Sequence, residues 1–314
     1  MKKRVIALIS GGISPERDVS LNSGAQIFEA LDKEKYTILR YDPMTDLPKL
    51  VADAEKIDAA FIALHGKYGE DGTMQGMLDL LNIPYQGSGV LGSAVAMNKI
   101  LSKRLYENHC IPVPAHLAFR RGEAIDPGAI EKKLGLPLVI KPAETGSSVG
   151  ISVAKTQDDI KSGADLAFAH DDIILMEEYI DGVEITAGVI GNDTLETLPL
   201  IEIIPEKNYV FFDYQAKYTE GATREICPAR IDDTHARQAQ EYARIAHKAL
   251  FCAGCSRTDM ILKDGKLYAL ETNTIPGMTK TSLMPLAAKK AGIPFGELLD
   301  RLISLGLEAR PKHS

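Results

Sequence analysis

A chain of 314 residues is longer than one ordinary core accommodates and suits two or three modules. Hydrophobic residues at 45 % and charged residues at 25 % are average for a globular protein in water, and no run approaches the ~20 apolar residues that span a bilayer, so no membrane partner is expected. The net charge of -7 excludes the basic surface that nucleic acid requires, while leaving room for lysines aimed at a single nucleotide.

The first segment, to about Ser88, alternates strand-like and helix-like runs. Arg4 to Ser10 reads as a buried strand, Asn22 to Leu31 as a helix, and Tyr36 to Tyr41 and Ala59 to Leu64 as further strands. Strands separated by helices imply βαβ units and a mainly parallel sheet, with ligands at the carboxyl ends of the strands. Gly11-Gly12 and His65-Gly66 both fall at such ends. Val5 to Ile9 is too short for a signal-peptide core, so Met1-Lys-Lys-Arg is not expected to open a leader, and a cytoplasmic protein is expected.

The second segment, 89 to 182, opens with a helix from Gly92 to Asn108. Strands Leu138 to Lys141 and Val149 to Val153 flank a Gly-Ser-Ser loop, and a helix Asp158 to Phe168 and a strand Ile173 to Glu178 complete an α+β unit. In the third segment, 183 to 314, strands Glu184 to Ile190 and Leu198 to Ile204 precede a long helix, Asp233 to Phe251. A hairpin from Arg257 to Asn273 turns at Asp264-Gly265, and two helices follow. The fold class expected is α/β: a parallel-sheet N-terminal module (1–88) and two α+β modules (89–182 and 183–314). Cys252-x-x-Cys255 ends a helix instead of opening one, and no second pair completes a zinc site, so these are read as small, half-buried residues.

Chemistry concentrates in four places. If Gly265 supplies the left-handed residue of a bulged three-residue turn, Arg257, Asp259, Glu271 and Asn273 share one face of the hairpin. Met260, Leu262, Tyr268 and Leu270 then cover the core. Two carboxylates and an amide are hard oxygen ligands of the kind magnesium prefers, and an arginine beside them balances charge or holds an oxyanion. In the run Lys141-Pro-Ala-Glu-Thr-Gly-Ser-Ser-Val-Gly150, glycines and small hydroxyls present donors suited to polyphosphate; with no Gly-Lys-Ser/Thr and no helix following, it is not a P-loop. Met176 to Glu184 forms a hinge whose backbone can read an adenine edge, with Glu184 placed for ribose hydroxyls. Finally, Glu16 on the Gly11-Gly12 loop is placed to grip an ammonium group, with His65 nearby. The Gly-x-Gly-x-x-Gly spacing of dinucleotide oxidoreductases is absent.

Taken in order, the chain reads Gly-Gly-x-x-x-Glu-Arg-x-Val-Ser, His-Gly-x-x-Gly-Glu-Asp-Gly and Lys-Pro-x-x-x-Gly-Ser-Ser-Val-Gly. Asp213-Tyr-Gln-Ala-Lys-Tyr218, Arg257-x-Asp259, Glu271-x-Asn-Thr-x-Pro-Gly-Met-Thr279 and Ser282-Leu283 follow. This succession resembles the D-alanine-D-alanine ligases of the ATP-grasp superfamily over nearly the whole length.

The resemblance implies a three-domain, homodimeric enzyme of peptidoglycan precursor synthesis. It would join two D-alanines through a D-alanyl phosphate, at the expense of ATP. Lys99 and Lys141 would bind phosphates with the Ser147-Ser148 loop, Glu177 and the backbone near Ile180 would read adenine, and Glu184 the ribose. Asp259, Glu271 and Asn273 would hold two Mg2+ ions, or Mn2+ in their place. Glu16 would bind the first ammonium, with Ser147 and Tyr218 in a hydrogen-bonded link and Lys217 on the transferred phosphate. Arg257 and the Gly277 N–H would form the oxyanion hole, with Ser282 and Leu283 on the second carboxylate and His65 as a further substrate contact. The polar segment from Tyr209 to Thr223 would be the lid. Tyr218 goes with D-alanine as acceptor; the alternatives are a D-lactate or D-serine acceptor, or a nucleotide-binding homologue without catalysis.

Overall fold

The computed structural model describes residues 3–146, 149–205 and 223–312. The chain begins β1 (Arg4–Ile9), α1 (Arg17–Ala30), β2 (Tyr36–Tyr41), α2 (Leu47–Asp53), β3 (Ala59–Ile62) and α3 (Thr73–Leu80). The three strands form a parallel sheet in the order β2-β1-β3. The apolar runs of β1 and β3 are continuous because both faces are covered, while the edge strand β2 leaves Thr37 and Arg40 exposed. Ile6, Leu8 and Phe61 enter one core, Ala7, Ile9 and Ile62 the other.

Next come α4 (Val90–Met97), α5 (Lys99–Asn108), β4 (His116–Arg120), α6 (Pro127–Leu134), β5 (Leu138–Pro142), β6 (Ser152–Ala154), α7 (Gln157–Phe168) and β7 (Ile173–Glu178). The strands make an antiparallel sheet, β4-β7-β5-β6, with Ile140 and Met176 packed against Ile160 and Ala164 of α7. The helix expected from Gly92 to Asn108 is two helices. Asn98 is extended (φ -83, ψ 102) and its side chain accepts hydrogen bonds from the N–H groups of Ile100 and Leu101. Such a cap starts a new helix at Lys99 and gives it a separate direction.

The third part holds β8 (Val183–Ile190), β9 (Glu196–Thr197), β10 (Ile201–Pro205), β11 (Thr223–Ile226), α8 (Asp233–Ala249), β12 (Cys255–Lys263), β13 (Lys266–Asn273), α9 (Leu283–Lys290) and α10 (Phe295–Ala309). Its sheet runs β11-β10-β8-β12-β13, with β9 on β8. Ala239, Ala243 and Ala246 recur along one stripe of α8, and their small side chains let that helix settle closely on Ile185, Ala187 and Met260. Packing crosses the chain order. Ala96 and Tyr106 of α4 and α5 join this third core, while Leu298 and Leu302 of α10 join Ile6 and Leu8 over the first sheet.

The hairpin departs from expectation in a way that matters. Lys263 pairs with Lys266, so the turn is the two residues Asp264 and Gly265, both left-handed (φ 49 and 74). That is the pattern of a tight hairpin turn, for which glycine is suited at its second position. The irregularity lies elsewhere: Asp259 opposes Glu271 but Met260 opposes Ala269, leaving Leu270 as the extra residue. Beyond this bulge β13 exchanges its faces, and Leu267 and Ala269 enter the core in place of Tyr268 and Leu270.

No helix among the described residues is long and apolar enough to cross a membrane. Cys252 and Cys255 are free thiols, and burial pushes both up to about 12, so neither carries thiolate reactivity near neutrality.

Under β12, the buried His247 ring stands with Nδ1 2.7 Å from Ser256 Oγ, and burial pulls it down from 6.5 to about 4. A histidine held neutral in the fold gives stability that is complete above its unfolded value and is lost as the pH falls from 6.5 toward 4. Its contribution to the slope approaches about 1.4 kcal/mol per pH unit at the steepest point. Denaturant titrations across that window should show a flatter pH dependence for His247→Gln than for the wild type. Identical slopes would count against a buried neutral histidine.

Candidate functional site

A cavity of about 760 Å³ opens where the three sheets converge. From the first sheet come Glu16 and His65, from the start of α5 Lys99, and from the hairpin Arg257, Glu271 and Asn273. Gly277, Ser282 and Leu283 complete the lining. Nine of the expected residues therefore meet around one space.

The first wall is fixed by loop geometry. Arg17 makes a two-pronged ion pair with Asp42, whose Oδ1 also accepts from the Gly12 N–H at 2.9 Å. The Arg17 contact, together with that amide, holds the Asp42 carboxyl down at about 2, against an ordinary 3.8. The clamp fixes the Gly11-Gly12 loop and with it Glu16, which is buried. Ser14 Oγ donates to the His65 carbonyl at 2.7 Å, tying this loop to the next. Gly66 has φ +70, and a Cβ there would stand 2.6 Å from Glu16 Oε2. Only glycine lets that backbone pass so close to the carboxylate. His65 lies with Nε2 3.4 Å from Ser23 Oγ and Nδ1 3.4 Å from Glu70 Oε1. Glu70 stood in the quoted His-Gly-x-x-Gly-Glu motif without an assigned part; its neighbour His65 supplies one.

The hairpin forms the electrostatic centre. Arg257 Nε and Nη2 donate to the two oxygens of Asp259 at 3.0 and 2.9 Å, and Thr186 Oγ1 of β8 donates to Asp259 Oδ1 at 2.5 Å. Asp259 is thus turned toward Arg257 and does not line the cavity, whereas Glu271, directly opposite, does. Lys99 Nζ is 3.9 Å from Glu271 Oε2 and donates to the Thr145 carbonyl at 2.8 Å. Asn273 Oδ1 accepts from the Ile275 N–H and keeps a second lone pair. Glu271 and Asn273 thus offer the cavity hard oxygen donors of the kind Mg2+ takes, whereas the Asp259 oxygens are held by Arg257 and Thr186 beside them.

On the far wall, Ser282 Oγ is 2.7 Å from Thr279 Oγ1 and accepts from the Thr279 N–H at 3.1 Å. A Cβ on Gly277 would lie 3.0 Å from the same oxygen. Leu283 opens α9, so the free N–H groups of that helix start beside the cavity. The Lys280 N–H donates to Gln26 Oε1 of α1 at 2.8 Å, which joins this loop to the first sheet's helix.

Four further expected residues sit apart from the cavity, along the junction of the second and third sheets. Lys141 and Glu177 face each other from β5 and β7 with Nζ 2.7 Å from Oε2. Ile180 is buried in the turn between β7 and β8, and Glu184 follows on β8. Gly182 presses on β12, where a Cβ would meet the Leu262 carbonyl at 2.4 Å. The sequence reading missed Lys103, whose Nζ lies 2.7 Å from Glu177 Oε1. Burial alone would raise the Glu177 carboxyl, but the two ammonium groups outweigh it and hold it at about 2. The signal was available in the spacing: Lys103 stands one helical turn after Lys99. Thr223, the last residue of the expected lid, and Glu225, which was not anticipated, line the cavity from β11, and partial desolvation pushes the Glu225 carboxyl up. Ser147, Ser148, Lys217 and Tyr218, and the expected lid up to residue 222, lie outside the described residues. Gly146, the last described residue before Ser147, borders the cavity, and a Cβ there would be 3.3 Å from Glu16 Oε2.

Comparison with known proteins gives a consistent result. Residues 45–88 match the family described as D-ala D-ala ligase N-terminus, and residues 105–304 the family described as D-ala D-ala ligase C-terminus. A D-alanine--D-alanine ligase from Syntrophobacter fumaroxidans is 59 % identical over 307 residues, covering 98 % of this chain and 99 % of that protein. The solved D-alanine--D-alanine ligase from Bacillus anthracis complexed with ATP superposes with a TM-score of 0.86 at 35 % identity, covering 98 % of each chain. The VanG D-Ala:D-Ser ligase from Enterococcus faecalis superposes with a TM-score of 0.84 at 34 % identity, covering 97 % of this chain and 100 % of that one.

Proposed function

The chain belongs to the D-alanine-D-alanine ligase family, and we propose that it joins two D-alanines in an ATP- and Mg2+-dependent reaction through a D-alanyl phosphate. The observation that carries this reading is the facing of Glu16 and His65 by Arg257, Gly277 and Ser282 across one cavity, with Lys99 and Glu271 at its side. Carboxylates able to take an ammonium and groups able to take a carboxylate or oxyanion line the same space, as two amino acids held head to tail require.

In this reading the Glu16 carboxylate takes the ammonium of the first D-alanine. That substrate's carboxylate oxygen attacks the γ-phosphorus of ATP; the bond to the bridging oxygen breaks, and ADP leaves. Lys99 and Lys141 neutralise the phosphates, helped by Ser147, Ser148 and Lys217, while Ile180 and Glu184 line the adenosine end with Glu177. Mg2+ held by Asp259, Glu271 and Asn273, or Mn2+ in its place, would withdraw charge from the phosphate oxygens. The amine of the second D-alanine then attacks the acyl carbon, and inorganic phosphate departs. Arg257 and the Gly277 N–H stabilise the oxyanion of that step. Ser282 and the N-terminus of α9 at Leu283 receive the second carboxylate, which favours the positive end of a helix. Tyr218 is taken to favour D-alanine as acceptor over D-lactate or D-serine. A cytoplasmic homodimer serving peptidoglycan precursor synthesis fits this activity.

The direct assay is phosphate release from Mg-ATP with D-alanine, L-alanine, D-lactate or D-serine, and the product identified by mass. D-Alanine-dependent release with D-alanyl-D-alanine as product is expected. Release only with a mixed acceptor would retain the acyl-phosphate route and refute the part given to Tyr218. Two variants separate the parts assigned to the hairpin. Arg257→Ala should lower kcat by about 10²–10³ with a smaller change in KM for ATP; wild-type turnover would remove Arg257 from the oxyanion hole. Glu271→Gln should instead raise the Mg2+ concentration needed for half-maximal rate, and an unchanged Mg2+ dependence would exclude it as a ligand.

A further inference from the structure

We propose that Lys103 is a positioning residue for ATP: by holding the Glu177 carboxylate, it leaves Lys141 able to turn to the triphosphate. The inference rests on the reading that ATP binds along the junction of the second and third sheets.

Three charged side chains from three elements meet there. Lys103 comes from α5, Glu177 from β7 and Lys141 from β5, and each lysine places Nζ 2.7 Å from a different oxygen of Glu177. Val139 pairs with Glu177 and Lys141 with Leu175, so Lys141 and Glu177 are diagonal neighbours on one face of the sheet. One carboxylate needs one ammonium to balance it, and here it has two, in a place almost without water. The second positive charge is therefore held ready for another anion.

The structure distinguishes the two lysines. The Lys103 side chain has 0 % exposure and sits on the inner face of α5, whereas that of Lys141 retains 7 % and lies on the strand leading to the Gly146–Gly150 loop. Lys103 has nowhere else to go; Lys141 has. The helix carrying Lys103 is itself tied to the hairpin, since Tyr106 Oη donates to Thr272 Oγ1 and Lys99 stands beside Glu271. Without Lys103, the buried Glu177 would depend on Lys141 for charge balance. The attraction that now fixes Glu177 would then hold Lys141 away from the nucleotide.

The consequence is a dependence of one substitution on another. Affinity for a non-hydrolysable ATP analogue with Mg2+ is measured by calorimetry on the wild type, Lys103→Met, Glu177→Gln and the double variant. Lys103→Met is expected to weaken binding by about tenfold on the wild-type background, but by less than about twofold on Glu177→Gln, where no carboxylate remains to retain Lys141. A rise in KM for ATP with kcat little changed should accompany the first loss. Equal losses on both backgrounds, or no loss on either, would overturn the proposal and leave Lys103 a structural charge. Should Lys103→Met not fold, the double variant against Glu177→Gln decides alone: affinities within about twofold support the proposal, and a tenfold gap refutes it. A wild-type protein that does not bind the analogue would refute the nucleotide reading itself, an outcome distinct from all of these.

Discussion

Arg257 and Asp259 stand two residues apart on β12, and their two-pronged ion pair fixes the polar end of the hairpin. Glu271 and Asn273 lie opposite them on β13, and Thr186 secures Asp259 from β8 on the other side. Four charged or amide groups are held on one face along the β12–β13 edge of a six-stranded sheet whose other face is packed with alanine and aliphatic side chains. A slip of one residue in register would carry Glu271 and Asn273 to the core face. The extra residue at Leu270 confines this polar arrangement to one end, because beyond it Ala269 and Leu267 return β13 to the apolar core.

The positions that were legible in the sequence are those where periodicity and chemistry agree. Tyr36–Tyr41 and Ile173–Glu178 appear with the expected bounds, and the parallel first sheet follows from its continuous apolar runs. That Arg257 shares a face with Asp259, and Glu271 with Asn273, is readable from alternation along each strand, but it is the bulge that brings the two pairs face to face. The bulge is not readable, since Leu270 has the same hydropathy whichever face it takes, and only the pairing with β12 decides. The break at Asn98 was hidden for a related reason: helical periodicity runs through it, and the cap shows only as one residue that binds two backbone N–H groups. Lys103 was missed because a lysine on a helix normally reads as solvated. Its burial depends on Glu177, 74 positions later in the chain, arriving on a different sheet.

Burial also sorts the charged groups by what each can do. Asp42, paired with Arg17, and Glu177, between two lysines, are held ionised well below the usual carboxylate range and serve as fixed anions. Their partners are internal, so they shape the site without competing for the substrate. Glu225, with a hydrogen bond from Thr223 but its carboxyl partly desolvated at the cavity edge, is pushed the other way. The distinction is between carboxylates that hold a loop or a lysine and those that face the cavity, such as Glu16 and Glu271, which the proposed reaction assigns to a substrate ammonium and to Mg2+.

The two halves of the proposed reaction therefore depend on contacts between modules as much as on any one of them. Glu16 is delivered by the first sheet and the Gly277–Ser282 loop by the third, and the hydrogen bond from the Lys280 N–H to Gln26 sets the distance between them. The C-terminal helices reinforce that spacing, because α10 packs its Leu298 and Leu302 on the first sheet although it follows the third in sequence. An acyl phosphate formed in such a space must meet an amine before it meets water, and that requires the two substrate walls to hold their separation through both steps. Cores shared between the modules tie those walls together.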